Sequence, residues 1–393
     1  MMWLIIPFTL LFILYAMLLF FYRRNWQQMP LMEVEDMYEP HTKISVIIPA
    51  RNEEKNIVTC LVSVCEQDYP PDLFEVIVID DHSEDNTNEI VKRLASIYPN
   101  LKCIRLQLND ELIMAYKKKA IETGIDAAKG KLIVTTDADC IAPPHWLKNI
   151  AAYYENKKAV FIAAPVVILP SSRYGGTSSQ GQGQGVRLVS LFQSLDFLSL
   201  QGITGASVFA GFHSMCNGAN LAYEKKVFDE VSGFAGVDNI ASGDDMLLMY
   251  KIYKKYPGRV HYLKSKEAIV TTQPAENWKA FFNQRIRWAS KAGKYDDKRI
   301  FWVLLLVYLL NLGFAVVFIA AFFNTDLCFY LISIFLLKIL YELFFLAPVA
   351  KFFGKEKLLW WFPLMQPLHI LYTIIAGLLG SITTYEWKGR RVK

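Results

Sequence analysis

Two carboxylates, Asp137 and Asp139, have the spacing expected of a site for a divalent cation. They end the stretch Lys131–Asp139, which begins as a short run of apolar, β-branched residues. Such a run is typical of a buried parallel strand. Acids at positions i and i+2 after a strand can face one ligand, and their oxygens suit Mg²⁺ or Mn²⁺ holding a diphosphate. The alternative is a solvated turn, because short motifs often match by accident.

Other strands are predicted to bring polar residues to the same edge. Apolar strands alternate with helical segments over residues 43–136, which predicts a parallel α/β sheet. In such sheets, ligands bind beyond the carboxyl ends of the strands. Two further strands end in polar residues, at 51–53 and at Asp80-Asp81. This convergence favours a ligand site over a solvated turn.

The sequence argues against several other classes of protein. Pro49-Ala50-Arg51-Asn52 stands where a dinucleotide-binding domain has Gly-x-Gly-x-x-Gly, and no Walker A sequence is present. The 6 cysteines form no Cys-x-x-Cys pair, which predicts free thiols rather than a zinc site. The net charge is +5, and basic residues cluster near apolar segments, which predicts contact with anionic headgroups and not with nucleic acid.

Apolar segments at both ends predict a multi-pass membrane protein. Residues 1–22 carry no charged side chain and precede Arg23 and Arg24, so we expect an anchor with the following domain in the cytosol. A cleaved signal peptide is the alternative. The predicted order is the anchor, a connector (23–42), a catalytic domain (43–275), an interfacial helix (276–299), a membrane region (300–387) and a basic tail (388–393).

The membrane region contains two predicted spans, Phe301–Phe323 and Leu327–Val349, and a third apolar segment, Leu358–Thr384. Lys338 and Glu342 form a predicted pair at i, i+4 inside the second span. The third segment is either a full span or a broken, re-entrant one. We favour the broken, re-entrant segment, because it keeps the basic tail on the cytosolic side of the membrane.

Three segments resemble the first half of family 2 glycosyltransferases, which have the GT-A fold and bind a sugar nucleotide over the sheet. They are Val-Ile-Ile-Pro-Ala-Arg-Asn-Glu-Glu from residue 46, Val-Ile-Asp-Asp-His-Ser-Glu-Asp from residue 78, and Thr-Asp-Ala-Asp from residue 136. The resemblance implies a mixed α/β sheet with helices on both faces. It also implies that Asp81 reaches uracil, that Asp137 lies near the diphosphate and that Asp139 holds the metal. It places Ala50, Arg51 and Glu53 around the nucleoside.

A lysine run at residues 117–119 matches the family's Gly-Lys-x-x-Ala segment in part, since Tyr116 stands where glycine is usual. Lys118 is taken as the lysine that faces the donor. A solvated start of a helix is the alternative.

The second half carries three further resemblances. Asn217 and Gly218 lie in a segment similar to the family's acceptor-side strand. The sequence Gly243-Asp244-Asp245 resembles the acid pair that ends in the catalytic base, which falls on Asp245. Glycine and two acids are also a plain capping pattern at the start of a helix.

The third resemblance is Gln284-Arg285-Ile286-Arg287-Trp288, which matches the Gln-x-x-Arg-Trp motif of membrane-bound family 2 enzymes. Arginine offers paired donors to phosphate, and tryptophan offers a flat face to a sugar. The implied ligands of Gln284, Arg285, Arg287 and Trp288 are therefore the diphosphate or the acceptor. An amphipathic helix at the membrane surface is the alternative.

Together these resemblances imply an inverting glycosyltransferase in the cell membrane. Its donor would be a UDP-linked sugar, its cofactor Mg²⁺ or Mn²⁺, and its acceptor a membrane lipid. A short processive polysaccharide synthase and a non-catalytic membrane scaffold with the same fold are the alternatives. The Gly/Gln-rich stretch 171–185 is either a lid or an insertion without a role. Before it, the apolar run 159–169 predicts one strand, and after it, residues 187–201 predict an amphipathic helix.

Overall fold

The structure is a computed structural model that describes residues 2–35, 37–106, 116–169, 184–236, 243–291, 295–382, 385–387 and 390–392. The chain divides into two compact units. The helical unit comprises Met1–Met29, Pro170–His213 and Pro274–Tyr385, and the sheet unit comprises Pro30–Leu169, Ser214–Gln273 and Glu386–Lys393. The predicted continuous domain 43–275 is thus interrupted by residues 170–213. Most of the predicted loop 171–185 lies outside the described residues.

The sheet unit is built on a seven-stranded mixed sheet in the order β3-β2-β1-β4-β7-β5-β8. Strand β1 pairs in parallel with β2 and with β4, while β7 runs antiparallel to β4 and β5. The strands are β1 (Ile44–Ala50), β2 (Phe74–Asp80), β3 (Leu101–Arg105), β4 (Leu132–Thr135), β5 (Phe161–Ala163), β6 (Val166–Ile168), β7 (Leu221–Glu224), β8 (Val260–Tyr262), β9 (Val270–Thr272), β10 (Tyr385–Trp387) and β11 (Arg390–Val392).

The chain also forms twelve α-helices in its described part, and those of the sheet unit alternate with the strands as the sequence predicts. They are α1 (Met2–Gln28), α2 (Ile57–Cys65), α3 (Thr87–Ala95), α4 (Tyr116–Ala127), α5 (Trp146–Lys157), α6 (Gln184–Phe209), α7 (Lys225–Glu230), α8 (Asp244–Lys255), α9 (Trp278–Ala289), α10 (Lys298–Ala321), α11 (Asp326–Phe352) and α12 (Phe362–Ile382).

The apolar run 159–169, predicted as one strand, forms two strands in different sheets. Strand β5 joins the large sheet, whereas β6 pairs with β9 in a separate two-stranded sheet. Pro165 lies between them and has no N–H to donate to a continuous ladder. The prediction of a single strand was therefore wrong.

Among the described residues, four helical segments are long and apolar enough to cross a membrane: α1, α10, α11 and the segment Glu356–Gly380. Helix α1 continues past the predicted end of the anchor, and Trp26 in its last turns is buried against Phe352. Helix α12 runs unbroken through Pro367, and a 3₁₀ helix, Glu356–Trp361, directly precedes it.

Buried polar groups accompany the apolar packing of the helical unit. The ammonium group of Lys338 lies 2.7 Å from Glu342 and 2.5 Å from the side-chain oxygen of Gln366. Tyr15 donates a hydrogen bond to the same carboxylate. The predicted pair Lys338–Glu342 is thus present. Helix α6, predicted as a shorter amphipathic helix, is buried along most of its described length.

Candidate active site

The ends of β1 and β2 form the first wall of the candidate site. Arg51, which directly follows β1, is buried and donates to the carbonyl oxygens of Asp81 at 2.8 Å and His82 at 3.2 Å. The N–H of Asp81 in turn donates to the carbonyl oxygen of Ala50 at 2.8 Å. Glu53 accepts a hydrogen bond from Asn56. The structure therefore brings together all four predicted nucleoside-binding residues, with Arg51 fixing the loop after β2.

Asp137 and Asp139 lie beside this wall, because β4 is the other parallel neighbour of β1. Both side chains are partly exposed. Asp137 Oδ1 lies 2.7 Å from Lys117 Nζ, and Asp139 Oδ2 accepts a 3.5 Å hydrogen bond from Thr272. The two acids thus stand at the carboxyl edge of the sheet, as predicted from their strand.

This pair of acids fits a hard divalent cation. The part of the chain that the structure describes contains no group of three or more His, Cys, Asp or Glu side chains placed to hold a metal. One or two carboxylates with open positions suit Mg²⁺ or Mn²⁺, which take their remaining oxygen ligands from phosphate and water. Burial raises the pKa of the neighbouring Cys60 and Cys140 thiols, and the charges of Asp139 and Asp137 raise it further.

Lys117 is the lysine of its run that reaches these acids. Burial opposes its charge, but Asp137, Asp244 and Asp245 together raise the pKa of Lys117 above its usual range. Lys118, the predicted donor-facing lysine, is buried at the next position of α4. Of the two lysines, Lys117 is therefore the one that forms an ion pair with Asp137, and the role of Lys118 stays a prediction.

The second acid pair begins α8. Gly243 has a φ of 84°, a left-handed conformation that glycine adopts readily, and Asp244 follows as the first helical residue. Asp244 is buried, whereas Asp245 is partly exposed. Asp245 Oδ2 accepts the N–H of Gly218 and Oδ1 accepts the N–H of Met246, each at 2.9 Å. The helix start predicted from the Gly-Asp-Asp sequence is present.

Gly218 connects the two pairs of acids. A Cβ atom at this glycine would stand 3.5 Å from Lys117 Nζ and 3.6 Å from Asp245 Oδ2. Its carbonyl oxygen accepts a hydrogen bond from Thr135 at the end of β4. The side chain of Asn217 instead closes a local turn, accepting the N–H of Ala219 at 3.0 Å. Asp137, Lys117, Gly218 and Asp245 therefore form one cluster.

The Gln-x-x-Arg-Trp sequence lies on α9 in the helical unit. Arg285 is buried, forms an ion pair with Asp196 and lies over the Trp288 ring, 4.2 Å from its centroid. Its charge is thus paired inside the helical unit, so the predicted diphosphate contact of Arg285 does not match its environment. Arg287 and Trp288 are partly exposed. Sequence analysis missed Asp196, although a lone acid in an apolar helix could have signalled it.

Residues 45–231 match the sequence profile of glycosyl transferase family 2. These residues form a glycosyl transferase family 2 domain. Glycosyltransferase AglE of Haloferax volcanii is 37% identical over 106 residues, which cover 27% of this chain and 33% of that protein. Beta-monoglucosyldiacylglycerol synthase of Synechocystis is 26% identical over 278 residues, which cover 70% of this chain and 52% of that protein. The chain thus spans between a third and about half of these relatives.

The fold of the whole chain is also found in a solved structure. A mannosyltransferase, PcManGT, from Pyrobaculum calidifontis, solved in complex with GDP-Man and Mn²⁺, superposes with a TM-score of 0.61. The match covers 95% of this chain and 98% of the other at 19% identity. This confirms the predicted GT-A type sheet with long apolar helices at both ends of the sequence.

Proposed function

We propose that the chain is a membrane-anchored, inverting glycosyltransferase. It moves a sugar from a UDP-linked donor to a lipid in the membrane. The observation that carries this proposal is the cluster around Gly218, where Lys117 lies between the acid Asp137 at the end of β4 and the acid Asp245 at the start of α8. A site that transfers a sugar in one displacement needs a cationic side for the leaving group and a base for the acceptor.

The edge of the sheet provides the cationic side for the leaving group. Arg51, Asp81 and Glu53 line the nucleoside end, and Asp139 with Asp137 would hold Mg²⁺ or Mn²⁺ next to the diphosphate. When bound, the cation neutralises charge on the departing diphosphate. Lys117 keeps its positive charge at neutral pH because its pKa is raised, and it holds Asp137 in place.

Asp245 provides the base for the acceptor. It accepts the proton of the acceptor hydroxyl while that oxygen forms a bond to the anomeric carbon. The bond from this carbon to the diphosphate breaks, and its electron pair leaves with the diphosphate. The two backbone N–H groups that bind Asp245 fix the orientation of its carboxylate.

A lipid acceptor is supported by the apolar helices and by a relative. Four described segments are long and apolar enough to cross a membrane, which supports an acceptor taken from the lipid phase. A relative is named for the synthesis of monoglucosyldiacylglycerol, a glycolipid. Arg23 and Arg24 at the end of the first segment favour a cytosolic sheet unit, on the same side as nucleotide sugars.

The test is a donor screen with the purified full chain in lipid nanodiscs. Each of a panel of UDP- and GDP-sugars is supplied with Mn²⁺ and extracted membrane lipids, and products are identified by mass spectrometry. We expect one donor to be consumed and one glycolipid to appear, and Asp139→Asn to abolish both. A long polymer would support the polysaccharide synthase, and no consumption of any donor would contradict the proposal.

A further inference from the structure

A buried carboxylate of the helical unit, Asp196 on α6, has no part in the mechanism above. Its side chain is 4% exposed. Arg285 of α9 donates to its Oδ2, and the hydroxyl group of Tyr372 on α12 donates to its Oδ1 at 2.6 Å. Nε2 of His369 lies 3.9 Å from the same Oδ1. One acid therefore joins three helices, and one of them carries the Gln-x-x-Arg-Trp motif.

The partner of Asp196 contacts the motif's tryptophan directly. The guanidinium carbon of Arg285 lies 4.2 Å from the centroid of the Trp288 ring and 4.8 Å from that of Phe281. A guanidinium group is planar and stacks on aromatic faces, so its orientation restricts the ring against it. Because Asp196 binds one of its nitrogens, the guanidinium group links the carboxylate to the Trp288 ring.

A second polar contact holds α9 from the same face of α6. Gln193 lies three residues before Asp196, so both side chains are on one face of the helix. Its Oε1 accepts the N–H of Ala275 at 2.7 Å, and its Nε2 donates to Gln284 at 3.3 Å. Val189 and Phe192 pack against Phe281 between these polar contacts. The face of α6 thus fixes both the approach to α9 and the motif itself.

We infer that Asp196 is a positioning residue for sugar transfer, acting through Arg285 on Trp288. This inference rests on the proposed function and on the acceptor contact that the Gln-x-x-Arg-Trp resemblance implies for Trp288. Arg287 is then the arginine of the motif that contacts the diphosphate. A purely stabilising role is a weaker explanation, because a buried ion pair is seldom more stabilising than apolar residues of the same size.

The kinetic test compares transfer with hydrolysis of the donor in the absence of acceptor. Asp196→Asn should lower the ratio of transfer to hydrolysis at least about tenfold, since a misplacement of about 1 Å can cost about 100-fold. Glu342→Gln is the matched control, because it neutralises another buried acid of the helical unit that is paired with a lysine on its own helix. It should leave the ratio unchanged even if it lowers the melting temperature.

A double-mutant cycle shows whether Asp196 acts through Arg285. If it does, Asp196→Asn and Arg285→Gln should each lower the ratio, and the double variant should lower it no further than the worse single one. Additive losses, or equal losses of transfer and hydrolysis in Asp196→Asn, would overturn the inference.

A measurement that needs no activity separates this inference from the proposed function. Spin labels on the exposed positions Leu188 of α6 and Asn283 of α9 report the distance between these helices by electron paramagnetic resonance, after replacement of Cys103 and Cys328. Asp196→Asn should broaden the distance distribution and Glu342→Gln should not. A narrow distribution in Asp196→Asn contradicts the inference. A wild type that consumes no donor contradicts only the proposed function.

Discussion

Lys117 and Asp137 form an ion pair, with Nζ and Oδ1 2.7 Å apart, between the first turn of α4 and the loop after β4. The pair brings a cation beside the acids Asp137 and Asp245 at this edge of the sheet. Asp244 and Asp245 act on the same ammonium group and raise its pKa. The lysine is therefore the electrostatic link between the residues proposed to hold the metal and the one proposed as the base.

Lys117→Gln should lower donor turnover by about 10- to 100-fold, because a hydrogen bond to a charged group contributes about 1.5–3 kcal/mol. Lys119→Gln is the control, since Lys119 is exposed and its nearest acid, Glu122, is 3.8 Å away. It should change turnover less than twofold. Initial rates at saturating Mn²⁺ measure both variants. Equal losses of donor turnover in the two variants would show that Lys117 does not contribute to the site.

Asp139→Asn should abolish metal-stimulated donor turnover and leave the fold intact, because its partly exposed carboxylate lies at the edge of the sheet. Asp126→Asn, on the exposed surface of α4, is the control and should behave as wild type. Turnover is measured over a titration of Mn²⁺, and folding by the melting temperature. Full activity of the wild type in excess EDTA would rule out the proposed role of the metal.

Two glycines allow stability and activity to be separated. A methyl group at Gly130 would stand 2.4 Å from the backbone nitrogen of Ser45, so Gly130→Ala should cost about 1–3 kcal/mol of stability. At Gly218 the nearest atoms are 3.5 Å away or more, so Gly218→Ala should fold normally. The new methyl group would lie between Lys117 and Asp245 and should lower transfer at least about tenfold. Melting curves and rates of both variants check this contrast.

His213 should make the protein sensitive to acid. It is buried, its Nε2 lies 3.0 Å from both Tyr22 and Ser207, and burial lowers its pKa to about 4, although Asp297 opposes this and Arg299 reinforces it. Between about pH 6.5 and pH 4 the unfolded chain binds a proton that the folded chain does not, so stability falls as the pH falls.

The contribution of this histidine is at most about 3 kcal/mol. His213→Gln should be less stable at pH 7, but its melting temperature should fall less between pH 7 and pH 5. Thermal melting in detergent over this range compares the two proteins. Parallel curves would show that His213 does not titrate as described.

The sequence predicts the large sheet well because its central strands are buried on both faces. Strands β1, β2 and β4 are nearly continuous apolar runs, and the polar residues after them mark the edge where the site lies. Local patterns do not indicate which of three consecutive lysines faces that edge, since tertiary packing sets the rotation of α4. The pair Asp196–Arg285 spans 89 residues, and no periodicity connects its members.

Proline explains the error in the predicted strand 159–169. Pro165 divides this apolar run between two sheets, because it has no N–H to donate to a continuous ladder. Pro367 lies inside the third predicted membrane segment, and α12 continues through it. Neighbouring helices can support a helix at such a residue, and α12 packs against α9, α10 and α11. Domain boundaries, the side of the membrane and the ligands of each site residue stay predictions.

The most direct test is to measure donor binding and sugar transfer separately in Asp245→Asn, with Asp244→Asn as the neighbouring control. Calorimetry should show that Asp245→Asn binds donor and Mn²⁺ as the wild type does, because Asp137 and Asp139 lie in the loop after β4 and Asp245 lies on α8. Product formation should fall by about 10²–10⁴-fold, the usual contribution of a positioned base. Asp244→Asn, whose acid is buried, should lose less. Near wild-type transfer by Asp245→Asn with normal donor binding would contradict the account.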